Sequence, residues 1–245
     1  MLISKTMTKL CLLWCAVLSS ATFAGFFEPL LIGGSPGDPA DWPASPWVGN
    51  CSATLIGERV LLTAAHCVSN GGSKTFVLAG RRFSGKCTHN ANYRNNNTAD
   101  WALCVLPTAV ENTKFEVVAT SDEVQCSVEK DFLWTGYGCR KWGGSIDGQF
   151  RVGTVKSVRC PSGSSHDIVT TGKVALCSGD SGGGGYVELG NIRRLVGVNS
   201  RSNTTDTSYV ANVFTTTFRS WAKSWADGKG VKICGIHPEA ASCRP

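Results

Sequence analysis

The cysteine content constrains the fold of this chain more than any other sequence feature. The 245-residue sequence contains 12 cysteines, and two of them, Cys11 and Cys15, lie in an N-terminal export signal described below. The remaining even number favours a disulfide framework. Metal binding is the alternative, but no CxxC or paired HxxxH spacing supports it. The ten cysteines are Cys51, Cys67, Cys87, Cys104, Cys126, Cys139, Cys160, Cys177, Cys234 and Cys243.

The first 24 residues have the layout of a secretory signal peptide. Lys5 and Lys9 precede an apolar run over residues 10–18, and small residues follow as far as Ala24. This order of charged, apolar and small residues is typical of a cleaved signal, and removal after Ala21 or Ala24 fits it. The apolar run is too short to span a bilayer comfortably, although an uncleaved anchor is the alternative. We therefore predict a signal peptide over residues 1–24 and a secreted mature protein that is not held at a membrane.

Short strand-forming runs separated by turn residues fill most of the mature sequence. Charged residues make up only 17% of the chain, and 28 glycines accompany many valines and threonines. Many short strands without intervening helices predict antiparallel barrels or sandwiches. The predicted strands cover residues 52–56, 60–63, 75–78, 101–106, 115–118, 131–134, 149–158, 186–188, 195–199 and 209–213.

One helix is predicted near the C-terminus, over residues 216–227. Phe218, Trp221, Ala222 and Trp225 recur there at helical spacing and form one apolar stripe. Gly228 is placed to end the helix. We interpret the aromatic residues of this stripe as packing groups.

The charge of the chain is mildly basic. The net charge is +6 at pH 7, and loss of Lys5 and Lys9 with the signal leaves 22 basic and 18 acidic residues, a net charge of +4. No run of lysine or arginine indicates a nucleic-acid-binding face. The pairs Arg81–Arg82 and Arg193–Arg194 are interpreted as solvated surface.

A histidine occupies an unusual position in the segment VLLTAAHCV. His66 lies at the end of an apolar strand and is followed at once by Cys67. Cys51 precedes Cys67 by sixteen residues, so a disulfide between the two would close this segment and fix the imidazole. A buried histidine satisfied by hydrogen bonds is the simpler explanation when this segment is considered alone.

Two further segments carry residues of catalytic type. In TADWALCVL, Asp100 directly precedes an apolar strand, where a buried carboxylate needs a partner. In LCSGDSGGGGY, glycines flank Ser181, and the consecutive N–H groups of Gly179 to Ser181 are able to converge on an oxygen anion. An exposed turn aspartate and an ordinary glycine-rich loop are the structural alternatives. The occurrence of all three segments in one exported, strand-rich chain favours a catalytic role.

In this order, LTAAHC, DWAL and GDSGG resemble the three catalytic segments of the chymotrypsin-like (trypsin superfamily) serine peptidases. WTGYG, LVGVNS and the C-terminal tryptophan-rich helix resemble further landmarks of that family, so the similarity spans about residues 31–245. It implies an all-β fold of two packed six-stranded antiparallel β-barrels with a C-terminal α-helix, rich in disulfides, and an active site between the barrels. It also implies a short propeptide over residues 25–30 and a peptidase domain over residues 31–245.

The resemblance assigns the chemistry residue by residue. Ser181 would be the nucleophile, His66 the general base and acid, and Asp100 the group that orients His66. The N–H groups of Gly179 and Ser181 would form the oxyanion hole. These roles imply a secreted, monomeric serine endopeptidase that acts on polypeptides through an acyl-enzyme, needs no cofactor or metal and is open to protein inhibitors. The alternative is a catalytically silent exported binding protein. A lipase is not indicated, because the chain order Ser, Asp, His of the lipase triad is absent.

The resemblance also implies activation by a cut before Leu31 or Ile32. The new α-amino group, assigned to Leu31, would pair with Asp180 and complete the oxyanion hole. The preceding residues FFEPL contain no arginine or lysine. Activation by a trypsin-like cut is therefore not expected.

Substrate preference follows from departures from the family pattern. Ala175 stands where trypsin-like members carry an aspartate, so we expect small or apolar substrate side chains instead of arginine or lysine. Arg201 and Ser202 replace the usual Trp-Gly pair, so Ser202 is expected to narrow the primary pocket. The cysteine usually paired with Cys177 is missing, which leaves Cys160 as a candidate partner. The implied substrate-binding residues are Ala175, Leu176, Ser178, Ser200, Arg201 and Ser202.

Overall fold

The structure is a computed structural model that describes residues 31–245. The predicted signal peptide over residues 1–24 and propeptide over residues 25–30 lie outside the described residues. The strands are β1 (Ser35–Pro36), β2 (Thr54–Gly57), β3 (Val60–Thr63), β4 (Ser73–Leu78), β5 (Arg81–His89), β6 (Ala102–Val105), β7 (Asp131–Gly136), β8 (Arg151–Arg159), β9 (Asp167–Thr171), β10 (Gly184–Leu189), β11 (Ile192–Ser202) and β12 (Thr207–Asn212), and the α-helix is α1 (Thr216–Lys229).

The N-terminal half is a curled antiparallel sheet of five strands in the order β2-β3-β6-β5-β4. Strands β2 and β3 are buried along their whole length, which explains their continuous apolar sequence. Trp47 forms isolated bridges with Ser52, next to β2, and with Val77 in β4. These bridges bring the two edges of the sheet towards each other and give this half its barrel shape.

The C-terminal half is a closed barrel of six strands. Its order is β8-β7-β10-β11-β12-β9, and pairing between β8 and β9 closes the ring, while β1 adds to β8 from outside. The barrel core contains the stacked rings of Phe132 and Trp134, whose centroids lie 5.4 Å apart. Closure leaves no free edge among these six strands, so the barrel forms a rigid base for the loops that it carries.

The predicted fold class is confirmed: the described chain is mostly β, with a C-terminal helix and five disulfides. The second half has the expected six strands, whereas the first is a five-stranded curled sheet. The sequence did not predict β5, where Arg81, Arg82 and Lys86 lie exposed and mask the strand pattern, or β9. The strand predicted over residues 115–118 forms only isolated bridges, from Phe115 and Val118.

The C-terminal helix begins one residue after Thr215, whose side chain accepts a hydrogen bond from the N–H of Phe218 at 3.2 Å. Phe218 and Ala222 are buried, in agreement with the predicted apolar stripe. The prediction that Gly228 ends the helix is wrong, because Gly228 lies within α1. The helix ends at Gly230, which takes the left-handed conformation with a φ of 63°.

Each of the ten cysteines within residues 31–245 is in a disulfide, and the predicted Cys51–Cys67 bond is confirmed. The proposed pairing of Cys177 with Cys160 is wrong. Cys177 bonds to Cys139, with Cα atoms 5.4 Å apart, and Cys160 bonds to Cys126. The remaining pairs are Cys87–Cys104 and Cys234–Cys243.

The interpretation of Arg193 and Arg194 as solvated surface is also wrong. The Arg193 side chain is only 12% exposed, stacks on the ring of Trp42 and forms an ion pair with buried Glu116 at 2.6 Å. Arg194 is 13% exposed and pairs with Glu123. Within residues 31–245, no helix combines the length and the apolar character needed to cross a bilayer.

Candidate active site

His66 and Asp100 meet at the edge of the N-terminal sheet. His66 lies in a short 3₁₀ turn, Ala65–Cys67, after β3, and Asp100 lies just before β6. The Nδ1 atom of His66 is 2.7 Å from Oδ2 of Asp100, and the backbone N–H of His66 donates to Oδ1 at 3.1 Å. The pairing of β3 with β6 brings the two segments side by side. The carboxylate therefore fixes both the ring and the backbone of the histidine.

Asp100 is buried, and a second donor helps to satisfy its charge. Ser200, in β11 of the C-terminal barrel, donates from Oγ to Oδ2 of Asp100 at 2.6 Å. Burial acts to raise the pKa of Asp100, but the hydrogen bonds from His66 and Ser200 and the charge of His66 outweigh it. The pKa consequently lies below its ordinary value. Asp100 is thus held as a carboxylate in contact with the imidazole.

Ser181 lies beside this array. Its Oγ donates to the backbone carbonyl of Ser200 at 3.4 Å. Among the hydrogen bonds of the described residues, none joins Ser181 Oγ to His66. Catalytic hydrogen bonds are often long without substrate and shorten when substrate binds, so this geometry does not rule out the contact. Ser200 links the predicted nucleophile to the predicted orienting acid, through its carbonyl on one side and its hydroxyl on the other.

The Cys51–Cys67 disulfide lies next to His66. A ring nitrogen of His66 and the two sulfurs are all within 4.8 Å of one another. The sulfurs are bonded to each other, so they cannot act as the thiolate ligands that a metal would need. The disulfide instead limits the movement of the turn that carries the imidazole.

The loop that presents Ser181 depends on Gly179. Gly179 has a φ of +104°, and a Cβ atom there would lie 2.9 Å from the Cα of Gly138 and about as close to Ile146. No larger residue fits this position without displacing the neighbouring backbone. The glycine is therefore required for the close contact between the two loops.

Ser52 orients the carbonyl groups of the Ser181 loop. Its Oγ donates to the carbonyl of Gly179 at 2.8 Å, and its backbone N–H donates to the carbonyl of Ser181 at 2.7 Å. Within residues 31–245, the N–H groups of Gly179 and Ser181 donate to no protein acceptor. Both remain available to a substrate oxygen, as an oxyanion hole requires.

Asp180, which belongs to the same loop, is fully buried. Its Oδ1 accepts from the N–H of Gly138 at 2.8 Å, and its Oδ2 accepts from the N–H of Cys177 at 2.9 Å. No cationic group of residues 31–245 lies within 4.0 Å of its carboxylate. Burial raises the pKa of Asp180 to about 7, although the two N–H donors and the charge of Arg151 act to lower it.

The start of the described chain docks onto the C-terminal barrel. Leu31 is fully buried in the barrel core. The carbonyl of Ile32 accepts a hydrogen bond from the N–H of Ala175 at 2.8 Å. The predicted pair between an α-amino group of Leu31 and Asp180 requires a cut before Leu31, and it stays a prediction.

The walls of the predicted primary pocket are joined by two serines. Ser202 Oγ donates to the carbonyl of Leu176 at 2.5 Å, and the N–H of Leu176 donates to Ser208 Oγ at 2.9 Å. Ser202 and Ser208 face each other across β11 and β12. Ala175 is fully buried at this point, whereas Ser178 is exposed.

The side chain of Arg201 is bound by neighbouring residues and is not free at the mouth of the predicted pocket. Its guanidinium forms a two-point ion pair with buried Asp167 and lies over the ring of Tyr209 at 4.6 Å. Its charge is therefore largely satisfied within the protein.

Sequence reasoning missed several residues that shape this site. Ser52 and Ser208 belong to ordinary strand segments, and Cys139 was marked only by the even cysteine count. Arg151, at the start of β8, has no sequence signal that separates it from a surface arginine. Each acts through contacts between segments that are far apart in the chain.

Comparison with known proteins supports the fold and identifies the family. The chain resembles the solved structure of human heparin binding protein with a TM-score of 0.65 and 21% identity, over 78% of this chain and 95% of the other. A mutant of human heparin binding protein gives a TM-score of 0.64 and 21% identity, over 78% and 94% of the two chains. At this level of identity the likeness concerns the fold alone. The family model for trypsin matches residues 31–222, and the chain therefore belongs to the trypsin family.

Proposed function

We propose that this protein is a secreted serine endopeptidase. Ser181 Oγ attacks a peptide carbonyl while His66 accepts its proton, and His66 then protonates the leaving amine. Asp100 holds the imidazole and stabilises its charged form. Water releases the acyl group from Ser181 in a second round of the same steps.

One observation carries this proposal: the Asp100 carboxylate binds both His66 and Ser200, and Ser181 reaches the same Ser200. The available N–H groups of Gly179 and Ser181 support it, since they suit the negatively charged oxygen that forms during attack. Loss of one such donor typically lowers turnover by about 10²–10³-fold.

The contacts of Leu176 favour substrates with small side chains at the primary position. A large side chain entering between the two walls must break the hydrogen bond between Ser202 and Leu176. A substrate with glycine or alanine at this position is small enough to leave that hydrogen bond intact. Differences of one methylene in such a pocket are typically worth about 1–3 kcal/mol.

A fluorophosphonate probe tests the activity directly. The mature protein, with its N-terminus sequenced, is expected to react at Ser181, and the S181A variant is the matched control. Cleavage of a diverse peptide library by the same material then gives the primary specificity. An unlabelled Ser181 in a protein shown to begin at Leu31 refutes the proposed activity.

A binding protein on the same scaffold is the second candidate. Among the described residues Ser181 Oγ donates to the carbonyl of Ser200 and not to His66, and the hydrogen bond from Ser202 to Leu176 narrows the predicted primary pocket. The structural likeness to human heparin binding protein and the exposed Arg81, Arg82 and Lys86 of β5 favour a polyanionic partner for this candidate. Retention on immobilised heparin that R82Q and K86Q weaken, together with absent probe labelling, would support it over the peptidase.

A further inference from the structure

The guanidinium of Arg201 lies against the residue that supports the proposed orienting acid. Its Nη1 is 3.5 Å from Ser200 Oγ, at the outer limit of a hydrogen bond. The same Oγ donates to Oδ2 of Asp100 at 2.6 Å. A guanidinium carries donors only, so the hydroxyl of Ser200 is unable to donate to Arg201. The presence of the arginine therefore favours the orientation in which the single hydroxyl proton points to Asp100.

Two further contacts fix the side chain of Arg201. Its Nη1 donates to Oδ1 of Asp167 at 3.2 Å, and its Nη2 donates to Oδ2 of the same carboxylate. The guanidinium also lies 4.6 Å from the centre of the Tyr209 ring. Asp167 is only 3% exposed, so its charge would be costly without this partner. The two-point ion pair thus restricts the arginine to one orientation.

Contacts with the segment around Asp100 also place Asp167. The neighbouring His166 donates from its N–H to Thr98 Oγ1 at 2.9 Å. The ring of His166 lies 4.7 Å from the ring of Trp101. Thr98 and Trp101 flank Asp100 in the chain. The ion pair therefore keeps a fixed position relative to the carboxylate that orients the imidazole.

Two other titratable groups near this carboxylate stay uncharged near neutral pH. Burial, and to a smaller extent the charge of Asp100, raises the pKa of Tyr93. Burial lowers the pKa of His166, although the charge of Asp167 acts against this. The guanidinium of Arg201 and the carboxylate of Asp167 keep their charges at this pH.

The titratable groups on the remaining neighbouring elements are directed elsewhere. His89, at the end of β5, donates from Nε2 to the carbonyl of Val68 at 2.8 Å. Asp180, in the Ser181 loop, accepts from the N–H groups of Gly138 and Cys177. Any effect of these two groups on the reaction is shared by the wild type and by variants that leave them intact.

We propose that Arg201 is a positioning residue that acts on the proposed triad through Ser200. It directs the hydroxyl of Ser200 to Asp100, and its charge disfavours a second positive charge on His66. Asp167 balances this charge from behind, since only the arginine contacts Ser200. The ion pair thereby sets the pH below which His66 no longer acts as a base. This inference rests on the proposed peptidase function.

The test measures how the rate constant for reaction of Ser181 with a small fluorophosphonate depends on pH between pH 5 and pH 9. Such a probe lacks the residues that fill substrate subsites, so lost substrate contacts do not enter the result. The proteins begin at Leu31, with the N-terminus sequenced, and are the wild type, R201Q, R201K, D167N and R201Q/D167N. R159Q is the matched control, because Arg159 is an exposed arginine on β8 of the same barrel.

We expect R201Q and D167N to move the acid midpoint, the pH of half-maximal rate on the acid side, in opposite directions. The contacts through Ser200 and Asp100 place the charge of Arg201 within about 9 Å of the imidazole. At an effective dielectric constant of about 40–80, one unit charge at that distance shifts the midpoint by about 0.5 pH unit.

R201Q leaves a negative charge unbalanced, so the acid midpoint should rise by about this amount, and D167N should lower it by a similar or smaller amount. R201Q should also lower the maximal rate by about tenfold, because the hydroxyl of Ser200 is no longer directed. In R201Q/D167N the midpoint should return towards the wild-type value while the maximal rate stays low. R201K should keep the wild-type midpoint, and R159Q should change neither quantity.

Shifts of the same sign in R201Q and D167N, or no shift in either, would show a merely structural role and overturn the inference. A shift in R159Q as large as that in R201Q would overturn it too, since it would show that any charge on the barrel has this effect. The proposed function stands in both cases if wild-type Ser181 reacts. A wild-type Ser181 that does not react refutes the proposed function, and the inference with it. If R201Q does not fold, D167N should still lower the midpoint and R201Q/D167N should still reverse that shift.

Discussion

Replacing Asp180 with asparagine should change how the stability of the uncut chain depends on pH. In the folded protein the pKa of Asp180 is about 7, compared with its ordinary value of 3.8. A raised pKa means that the folded state binds a proton more tightly than the unfolded state. The stability associated with this proton is fully present below about pH 4 and is lost as the pH rises through 7. The difference between 3.8 and about 7, at 1.36 kcal/mol for each pH unit, corresponds to about 4 kcal/mol.

The assay is urea unfolding followed by tryptophan fluorescence between pH 4 and pH 8. It uses chains that begin at Gly25 and carry S181A, which prevents self-cleavage. The difference in unfolding free energy between the Asp180 chain and the D180N chain should fall by about 4 kcal/mol from pH 4 to pH 8. D180N also loses part of the hydrogen bonding to Gly138 and Cys177, but that loss does not vary with pH. D122N, at an exposed aspartate, is the control.

A chain beginning at Leu31 extends the same experiment. Pairing of its amine with Asp180 favours the carboxylate, so the loss of stability towards pH 8 should disappear. Parallel pH profiles for the Asp180 and D180N chains that begin at Gly25 would refute the reasoning, because they would show that burial does not raise the pKa of Asp180.

Three further predictions concern the site. S202G removes the hydrogen bond to Leu176, so kcat/KM for peptides with leucine or phenylalanine at the primary position should rise by at least about tenfold, while values for alanine change less than about threefold; an unchanged series would exclude Ser202 as the limit of the pocket. D100N should lower kcat by about 10⁴-fold in steady-state peptide assays, because the asparagine cannot hold the reactive form of His66, and a loss below about tenfold would contradict the assigned role. The double variant C139A/C177A should lower the free energy of unfolding by about 2–5 kcal/mol and slow the fluorophosphonate reaction, whereas removal of Cys126 and Cys160 should affect stability alone.

The sequence was most informative where a short local pattern determines the geometry. The segments around His66, Asp100 and Ser181 each combine a strand end with a residue of defined chemistry, and the structure places all three close to Ser200. The six strands of the second barrel were implied by the family resemblance, whereas the residue pattern alone indicated an antiparallel barrel or sandwich and missed β9. The catalytic roles of His66, Asp100 and Ser181 stay a prediction.

The sequence could not indicate contacts made by distant segments. The partner of Cys177 depends on the path of the segment between Gly138 and Arg151, which brings Cys139 nearer than Cys160. Burial of Arg151 depends on Asp147 and on carbonyls that become acceptors only after folding. Strand β5 was missed because charged residues occupy its exposed side, while its other side packs inward. A strand that is buried on one side only has a polar average composition, which conceals it in the sequence.

Because of the contacts of Ser52, the reactivity of Ser181 depends on how the two halves of the molecule pack against each other. It belongs to the N-terminal half, donates twice to the Ser181 loop of the C-terminal barrel and accepts from the N–H of Tyr137 at 3.0 Å. Neither half alone supplies both the acid–base pair and the shaped nucleophile loop. During folding, a competent hydroxyl should consequently appear late, at interdomain docking, and fragments covering each half separately should be inert until they are mixed and associate.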